Sequence, residues 1–120
     1  MDLTTSYLGL KLRNPVISGA SPLSFSPEMA LRIEEAGAGA IVLHSLFEEQ
    51  LDAHASGEEP IPYHFSPEQY VRHIRRLKQE LKIPVIASLN SVREGAWVRH
   101  AQHMQDAGAD AIELNLYCLP

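Results

Sequence analysis

The chain has 120 residues, of which 45% are hydrophobic and 21% are charged, a composition typical of a soluble globular domain with its own core. Its net charge of -5 argues against nucleic acid or an anionic membrane as the main partner. The single cysteine, Cys118, excludes an intrachain disulfide and favours a reducing compartment, so we expect a cytoplasmic protein. No apolar run approaches the roughly 20 residues that cross a bilayer, and no membrane partner is expected.

The first predicted element is a β-hairpin over residues 3–13, in which Gly9 marks the turn. The rest of the chain alternates apolar strands with amphipathic helices. Four strands are predicted, at residues 15–20, 40–46, 84–90 and 111–117. The second strand is apolar on both faces, which is typical of a buried parallel sheet.

Three helices are predicted between these strands, from capping residues and from the spacing of apolar positions. The first two begin with Ser-Pro-Glu at residues 26–28 and 66–68, where serine caps the helix and proline suits its first turn. The third is expected to start with a capping box of Ser91 and Glu94. The predicted inner faces are Met29, Ile33 and Ala36 in the first helix, Tyr70, Ile74, Leu77 and Leu81 in the second, and Trp97, Val98, Ala101 and Met104 in the third.

Strands that alternate with helices predict an α/β fold with a parallel sheet and right-handed crossovers. In such a fold the functional groups lie at the carboxyl ends of the strands. Small and polar residues gather there: Gly19, Ala20 and Ser21 after the first strand, His44 and Ser45 at the second, Ser88 and Asn90 at the third, and Asn115 and Cys118 at the fourth. This pattern predicts a site, although serine and asparagine also terminate strands and cap helices.

Several segments resemble the dihydroorotate dehydrogenase family. Residues 7–15, YLGLKLRNP, look like the entry segment of that family, and residues 113–118, ELNLYC, resemble its Glu-Leu-Asn-x-Ser-Cys strand end. The AGAGA sequence at residues 36–40 and PVIAS at residues 84–88 also agree, so the resemblance covers nearly the whole chain. The flavin module of dihydropyrimidine dehydrogenase shares this pattern.

The resemblance implies a parallel (β/α) TIM barrel that binds FMN and oxidises or reduces a pyrimidine ring. A closed barrel of this kind needs roughly 250 residues. Residues 1–120 would therefore form about the first four βα units of a single barrel domain, preceded by the hairpin. We expect a truncation, or a half that pairs with the missing barrel half or with itself in a homo-oligomer.

The resemblance also implies roles for the residues at the strand ends. Gly19, Ala20 and Ser21 would let the backbone approach the flavin ring, since only small side chains permit this approach. His44, Asn90 and Asn115 would line the pyrimidine side of the ring, with Ser45 and Ser88 beside them. Cys118 would be the base that removes a substrate proton while a hydride passes to the flavin.

The sequence departs from the family pattern at three places. His44 stands where the family has a lysine, Leu119 and Pro120 replace a Pro-Asn pair, and residues 47–65 read as an acidic loop. Dihydroorotate itself is therefore not the expected substrate, and we expect another small pyrimidine-like molecule.

Two rival functions stay open beside the flavin enzyme. One is a non-catalytic half-barrel that serves assembly, and the other is a flavin-free barrel enzyme that acts on a phosphorylated metabolite. His100 and His103 lie three residues apart on one helix, but two histidines alone do not make a metal centre, so no metal is predicted and a solvated face is expected.

Overall fold

The computed structural model describes residues 1–47, 65–91 and 95–116. A β-hairpin precedes a parallel sheet, and helices pack on one face of that sheet. The elements are β1 (Thr5–Tyr7), β2 (Leu10–Leu12), β3 (Ile17–Ser18), a 3-10 turn (Pro22–Phe25), α1 (Pro27–Glu35), β4 (Ala40–Val42), β5 (Leu46–Phe47), α2 (Pro67–Glu80), β6 (Val85–Asn90), α3 (Ala96–Asp106) and β7 (Ala111–Leu114).

The amino-terminal hairpin has the predicted turn. β1 and β2 pair antiparallel, with Tyr7 opposite Leu10. Leu8 and Gly9 both have positive φ angles, 52° and 75°, which is the backbone that a two-residue hairpin turn requires. Leu12 at the end of β2 is buried against the sheet, so the hairpin covers one end of the core.

The main sheet is parallel, as the alternation of strands and helices predicts. Its strands follow the chain in the order β3-β4-β6, and β7 pairs with the far side of β6. Each neighbouring pair is parallel, so the carboxyl ends of the strands meet at one edge. This mixed α/β arrangement is consistent with part of an α/β barrel.

The second predicted strand is interrupted, which the sequence did not predict. Val42 pairs with Ile86, and Leu46 pairs with Leu89. Three residues therefore separate Val42 from Leu46 on the second strand, whereas only two separate Ile86 from Leu89 on β6. The extra residue is a β-bulge, which divides the strand into β4 and β5. Residues after the bulge face the opposite side from the one that strict alternation would give them.

Apolar side chains pack on both faces of the sheet. The larger cluster lies between the strands and the helices, where Ile41, Val85 and Leu89 of the sheet meet Tyr70 and Ile74 of α2. The smaller cluster, on the other face, joins the hairpin to the strands, and its buried members are Leu12, Ala40, Val42 and Ile86. The polar residues of the candidate site continue this second face toward the carboxyl edge.

The second helix follows the sequence prediction closely. Ser66 and Gln69 form a capping box, in which the Gln69 N–H donates to Ser66 Oγ at 3.2 Å and the Ser66 N–H donates to Gln69 Oε1 at 2.8 Å. The four positions predicted to face the core, Tyr70, Ile74, Leu77 and Leu81, are all buried. α2 is thus held by both its amino-terminal cap and its apolar face.

The inner faces of the other two helices agree with the prediction only in part. In α1, Ile33 packs against the core as predicted, but Ala30 is the buried residue and Ala36 is exposed. In α3, Trp97 and Met104 pack in the core as predicted, but Val98 is 71% exposed and Ala96 and His100 are buried. His100 therefore belongs to an inner face rather than to the solvated face that its spacing from His103 suggested.

The start of α3 differs from the prediction. The helix begins at Ala96, and its N-cap is Gly95 with a φ of 80°, so Ser91 does not cap it as predicted. Glu94, the other member of the expected capping box, lies outside the described residues.

Polar side chains fasten the amino edge of the sheet. Asp110 Oδ2 accepts from the Val85 N–H at 2.8 Å and from Lys78 Nζ at 2.7 Å. Glu34 Oε1 accepts from the N–H groups of Lys82 and Ile83. These contacts satisfy backbone donors before β6 and at its start, so this edge serves stability.

The loop before β4 is equally constrained. A Cβ at Gly39 would lie 2.2 Å from the Asn14 carbonyl oxygen, so only glycine fits this close approach. The Asn14 amide donates to the Gly37 carbonyl at 2.7 Å, which ties the loop to the segment that leads into β3.

Among the described residues, no helix combines the length and apolarity needed to span a membrane.

Candidate functional site at the carboxyl edge of the sheet

Four polar side chains from three strand ends meet on the face of the sheet opposite the helices. Ser88 Oγ lies 2.7 Å from Ser45 Oγ and donates to Glu113 Oε1 at 2.8 Å. Asn115 Nδ2 donates to Ser45 Oγ at 2.7 Å and to Ser88 Oγ at 3.1 Å. We call these residues, Ser45, Ser88, Glu113 and Asn115, the polar quartet.

Strand alternation explains why the quartet shares one face. In β6, Ala87 and Leu89 point to the helices, so Ser88 between them points to the other side. In β7, Ile112 packs toward the helices and Glu113 faces away from them. Ser45 reaches this face because the bulge changes the phase of the second strand.

The backbone N–H and carbonyl of Ser88 form hydrogen bonds with a side chain of α2 instead of with the neighbouring strand. The Ser88 N–H donates to the Tyr70 hydroxyl at 2.9 Å, and that hydroxyl donates to the Ser88 carbonyl at 3.2 Å. Both backbone groups of Ser88 face the bulged strand. The Leu43 N–H donates to the Ile86 carbonyl, and Ser88, two residues after Ile86, directs its backbone groups to the same side. Burial raises the pKa of Tyr70 well above its ordinary value, so the phenol stays protonated as a donor.

Asn90 is a buried amide at the end of β6. It is 7% exposed and, two residues after Ser88, faces the same side of the sheet. No hydrogen bond joins its side chain to another residue in the described part of the chain. An amide at a strand end that has no hydrogen-bond partner among the described residues can serve a ligand there.

Gly19, Ala20 and Ser21 follow β3 at the same edge of the sheet. Gly19 and Ala20 are exposed, and a Cβ at Gly19 would meet open space. β3 pairs with β4, so these residues follow the strand next to the one that carries Ser45, and β4 lies between β3 and the strand that carries Ser88. Their accessible backbone fits the approach of a flat ring without requiring it.

His44 lies beside the quartet in a cluster of three rings, those of Phe25, His44 and Phe47, which we call the aromatic group. Its ring centroid is 4.5 Å from that of Phe25 and 6.3 Å from that of Phe47. Its backbone N–H donates to Ser24 Oγ at 2.7 Å. The structure therefore places Ser45, and not His44, in the contacts of the quartet.

The chemistry of this edge suits a neutral, flat, polar ligand. Amide groups can match the carbonyl and N–H groups of a heteroaromatic ring, and the rings of Phe25, His44 and Phe47 offer an apolar surface beside them. Within the described residues, no three His, Cys, Asp or Glu side chains come together as metal ligands.

The sequence prediction and the structure overlap only in part at this site. Ser45, Ser88 and Asn115 are brought together, whereas the predicted base, Cys118, lies outside the described residues. Glu113 and Tyr70 were not predicted to take part. Glu113 could have been found from its position, since it is a carboxylate in an apolar strand, two residues before Asn115 and on the same face.

Comparison with known proteins gives consistent relatives. The chain is 32% identical over 137 residues to the dihydroorotate dehydrogenase B (NAD(+)) catalytic subunit of Methanocella arvoryzae, and 28% identical over 130 residues to that of Thermoplasma acidophilum. It is also 29% identical over 134 residues to the NAD-dependent dihydropyrimidine dehydrogenase subunit PreA of Escherichia coli K12. Each match covers 98% of this chain but only 42%, 42% and 32% of these relatives.

A solved structure with a similar fold is the carboxyl transferase domain of Rhizobium etli pyruvate carboxylase, with a TM-score of 0.56 at 16% identity. The match covers 84% of this chain and 17% of that one, and it bears on the fold alone. No family model matches the sequence. The relatives nevertheless confirm the resemblance read from the motifs: the chain is similar over nearly its whole length to dihydroorotate dehydrogenase-like proteins and corresponds to their N-terminal portion.

Proposed function

We propose that this chain supplies one side of the active site of a flavin-dependent oxidoreductase. The reaction is hydride transfer between a dihydropyrimidine-like substrate and FMN. The observation that carries the proposal is the gathering of Ser45, Ser88 and Asn115 at the carboxyl edge, next to the buried amide of Asn90. The names of the relatives, dihydroorotate and dihydropyrimidine dehydrogenases, agree with this reaction class.

The residues at this edge have the groups that a flavin ring needs. Asn90 offers amide donors and an acceptor to the edge of the ring, and Asn115 offers its carbonyl oxygen because its NH2 group donates to the serines. Gly19 leaves room for backbone approach. When bound, FMN supplies a ring that accepts a hydride. The chain's own part is to orient that ring and the substrate and to exclude water from the buried side of the site.

Cys118 is the proposed base. It follows Asn115 by three residues, so it stands close in sequence to the groups that would hold the substrate. A free thiol has a pKa of about 8.5, and a catalytic cysteine needs surroundings that make its thiolate more accessible. Its thiolate would take a proton from the substrate carbon next to the one that loses the hydride.

The remaining side of the site must come from outside this chain. In TIM barrels a phosphate is frequently bound by loops after the seventh and eighth strands. The structure shows four consecutive parallel strand positions, with β5 extending β4. The other barrel half, or a second copy, is the proposed partner, and the proposed location is the cytoplasm.

The test is the spectrum of the full-length protein that carries this chain. Purified protein is expected to show flavin absorbance, and Asn115→Ala is expected to weaken FMN binding about fivefold to tenfold, the value of one hydrogen bond. Gln102→Ala, on the exposed side of α3, is the matched control and is expected to bind FMN normally. A full-length protein that binds no flavin overturns the proposal.

The same protein tests the base. Cys118→Ser is expected to slow flavin reduction by a dihydropyrimidine substrate at least a hundredfold, because serine is a much weaker base than a thiolate, and to leave FMN affinity unchanged. Equal reduction rates would remove Cys118 from the mechanism. A colourless protein that binds inorganic phosphate would favour the flavin-free enzyme, and one that binds neither would favour the assembly role.

A further inference from the structure

The hydrogens of the polar quartet can be assigned from Glu113 outward. An ionised carboxylate only accepts hydrogen bonds, and a serine hydroxyl has one hydrogen to donate and two lone pairs. Ser88 spends its hydrogen on Glu113 Oε1, at 2.8 Å. Ser88 Oγ must therefore accept its two other contacts.

This assignment fixes the direction of the next bond. Either hydroxyl could donate across the 2.7 Å between Ser45 Oγ and Ser88 Oγ. Since the hydrogen of Ser88 is already used, Ser45 donates to Ser88. The hydrogen of Ser45 is then used as well, and neither serine retains a hydrogen for Asn115.

The orientation of the Asn115 amide follows. Two oxygen atoms that can only accept lie 2.7 Å and 3.1 Å from the amide, so its NH2 group must face them. The opposite orientation would place Oδ1 against two acceptors with no hydrogen between them. Because the two polar atoms of an amide lie on opposite sides of Cγ, Oδ1 faces away from the serines.

We infer that Glu113 is a positioning residue that turns the carbonyl oxygen of Asn115 toward the ligand. Its charge acts through Ser88 and Ser45, in a chain of hydrogen bonds that runs in one direction from Asn115 to the carboxylate. The site is then specific for a ring with an N–H donor at this position. The identity of that ring rests on the proposed function, but the direction of the hydrogen bonds does not.

The matching chemistry is the imide N–H of a pyrimidinedione ring. Two ligands of the proposed reaction contain such a ring, the flavin itself and a pyrimidine substrate. A methyl group on the imide nitrogen removes the donor and tests each source separately. Glutamine at position 113 can donate as well as accept, so Glu113→Gln lets the chain of hydrogen bonds run either way.

The first experiment follows the Asn115 side chain by NMR in full-length protein labelled with 15N-asparagine. The signals are assigned by their loss in Asn115→Ala. The native protein and Glu113→Asp, which keeps an acceptor-only group, are expected to give one pair of N–H signals. Glu113→Gln is expected to shift or double that pair, and Ser88→Ala, which interrupts the chain of bonds, is a second variant with the same expectation.

The second experiment measures affinity. Apo-protein is titrated with FMN and 3-methyl-FMN, and FMN-loaded protein with uracil and 3-methyluracil. In one of the two pairs the native protein is expected to prefer the N–H ligand about tenfold, and Glu113→Gln to reduce this preference severalfold. Glu34→Gln, which alters another carboxylate that accepts two backbone bonds near the start of β6, is the matched control and is expected to keep the preference.

The outcomes separate the two proposals. Unchanged Asn115 signals in both Glu113→Gln and Ser88→Ala overturn the positioning role, whether or not flavin binds. Changed signals in a protein that binds no flavin support the positioning role and overturn the flavin proposal. Changed signals with equal affinities in both methylated pairs overturn the specificity for an N–H donor.

Discussion

Tyr70 shows how one hydroxyl group can replace part of a strand. Ser88 has an N–H and a carbonyl that face the bulge, and both are satisfied by the same phenol. Tyr70 is 1% exposed, so water cannot take over these bonds. The Tyr70 ring packs in the hydrophobic core, and its hydroxyl group forms hydrogen bonds with the sheet.

Tyr70→Phe is expected to lower the free energy of unfolding by about 2–4 kcal/mol. The ring remains, but two buried backbone groups lose their partner, at about 1–2 kcal/mol each. Chemical denaturation of the full-length protein measures the change. Tyr7→Phe, on the exposed part of β1, is the control and should change stability by less than about 0.5 kcal/mol.

A loss for Tyr70→Phe no larger than that of Tyr7→Phe would mean that the backbone of Ser88 finds other partners. The bulge would then be able to close without help from α2.

At the scale of elements, α2 holds the 3-10 turn through a buried histidine. His73 Nε2 donates to the Ser24 carbonyl at 2.6 Å, and Ser24 Oγ in turn accepts from the His44 N–H. The ring of Phe25, in the same turn, packs against the ring of His44 in a tilted arrangement. The contact therefore links α2 to the segment that carries the aromatic group beside the site.

This link is expected to weaken in mild acid. Burial lowers the pKa of His73 below its ordinary 6.5, although the bond to Ser24 opposes this shift. The unfolded chain then binds a proton more readily than the folded one, so stability is full above pH 6.5 and falls as the pH drops below it.

The measurement compares thermal midpoints between pH 7.5 and pH 5.5, chosen to span the ordinary histidine pKa of about 6.5. His73→Gln, which has no proton to gain, is expected to lose less of its stability over this range than the native protein. His103→Gln, at an exposed position on α3, should behave like the native protein. Equal pH dependence in all three would contradict the role of His73.

At the scale of the whole molecule, the sequence predicts the order and direction of the strands well. Apolar runs, Ser-Pro-Glu starts and glycine stops are local signals, and α2 follows them at all four of its core positions. The start of α3 was predicted wrongly because its N-cap is Gly95, which makes no side-chain capping bond, whereas Trp97 and Met104 of the predicted inner face do pack in the core.

The site is less predictable because its contacts are distant in sequence. Strand ends marked Ser45, Ser88 and Asn115 as neighbours, since parallel strands bring their ends together. The partners of Glu113 and Tyr70 lie 25 and 18 residues away in the sequence, so a local pattern can mark Glu113 as a candidate but cannot identify the residues that either side chain contacts. The bulge is visible only when the residues of two paired strands are counted against each other.

The bulge makes one residue of the second strand dispensable to the sheet. If His44 were deleted, Leu43 would stand opposite Ala87 and Ser45 opposite Ser88, so the two registers on either side of the break would merge. The strand would run without interruption, and its own backbone could serve Ser88. His44 is thus the inserted residue of the bulge. Its insertion places a ring between those of Phe25 and Phe47 beside the site.

Deletion of His44 should therefore make the Tyr70 hydroxyl redundant. In the background without His44, Tyr70→Phe is expected to cost less than about 1 kcal/mol, compared with about 2–4 kcal/mol in the native chain. A double-mutant cycle of unfolding free energies measures the difference. An equal loss of unfolding free energy in both backgrounds would mean that deletion of His44 does not restore a continuous strand. A smaller loss without His44 would show that the Tyr70 hydroxyl replaces the hydrogen bonds that the insertion removes from the sheet.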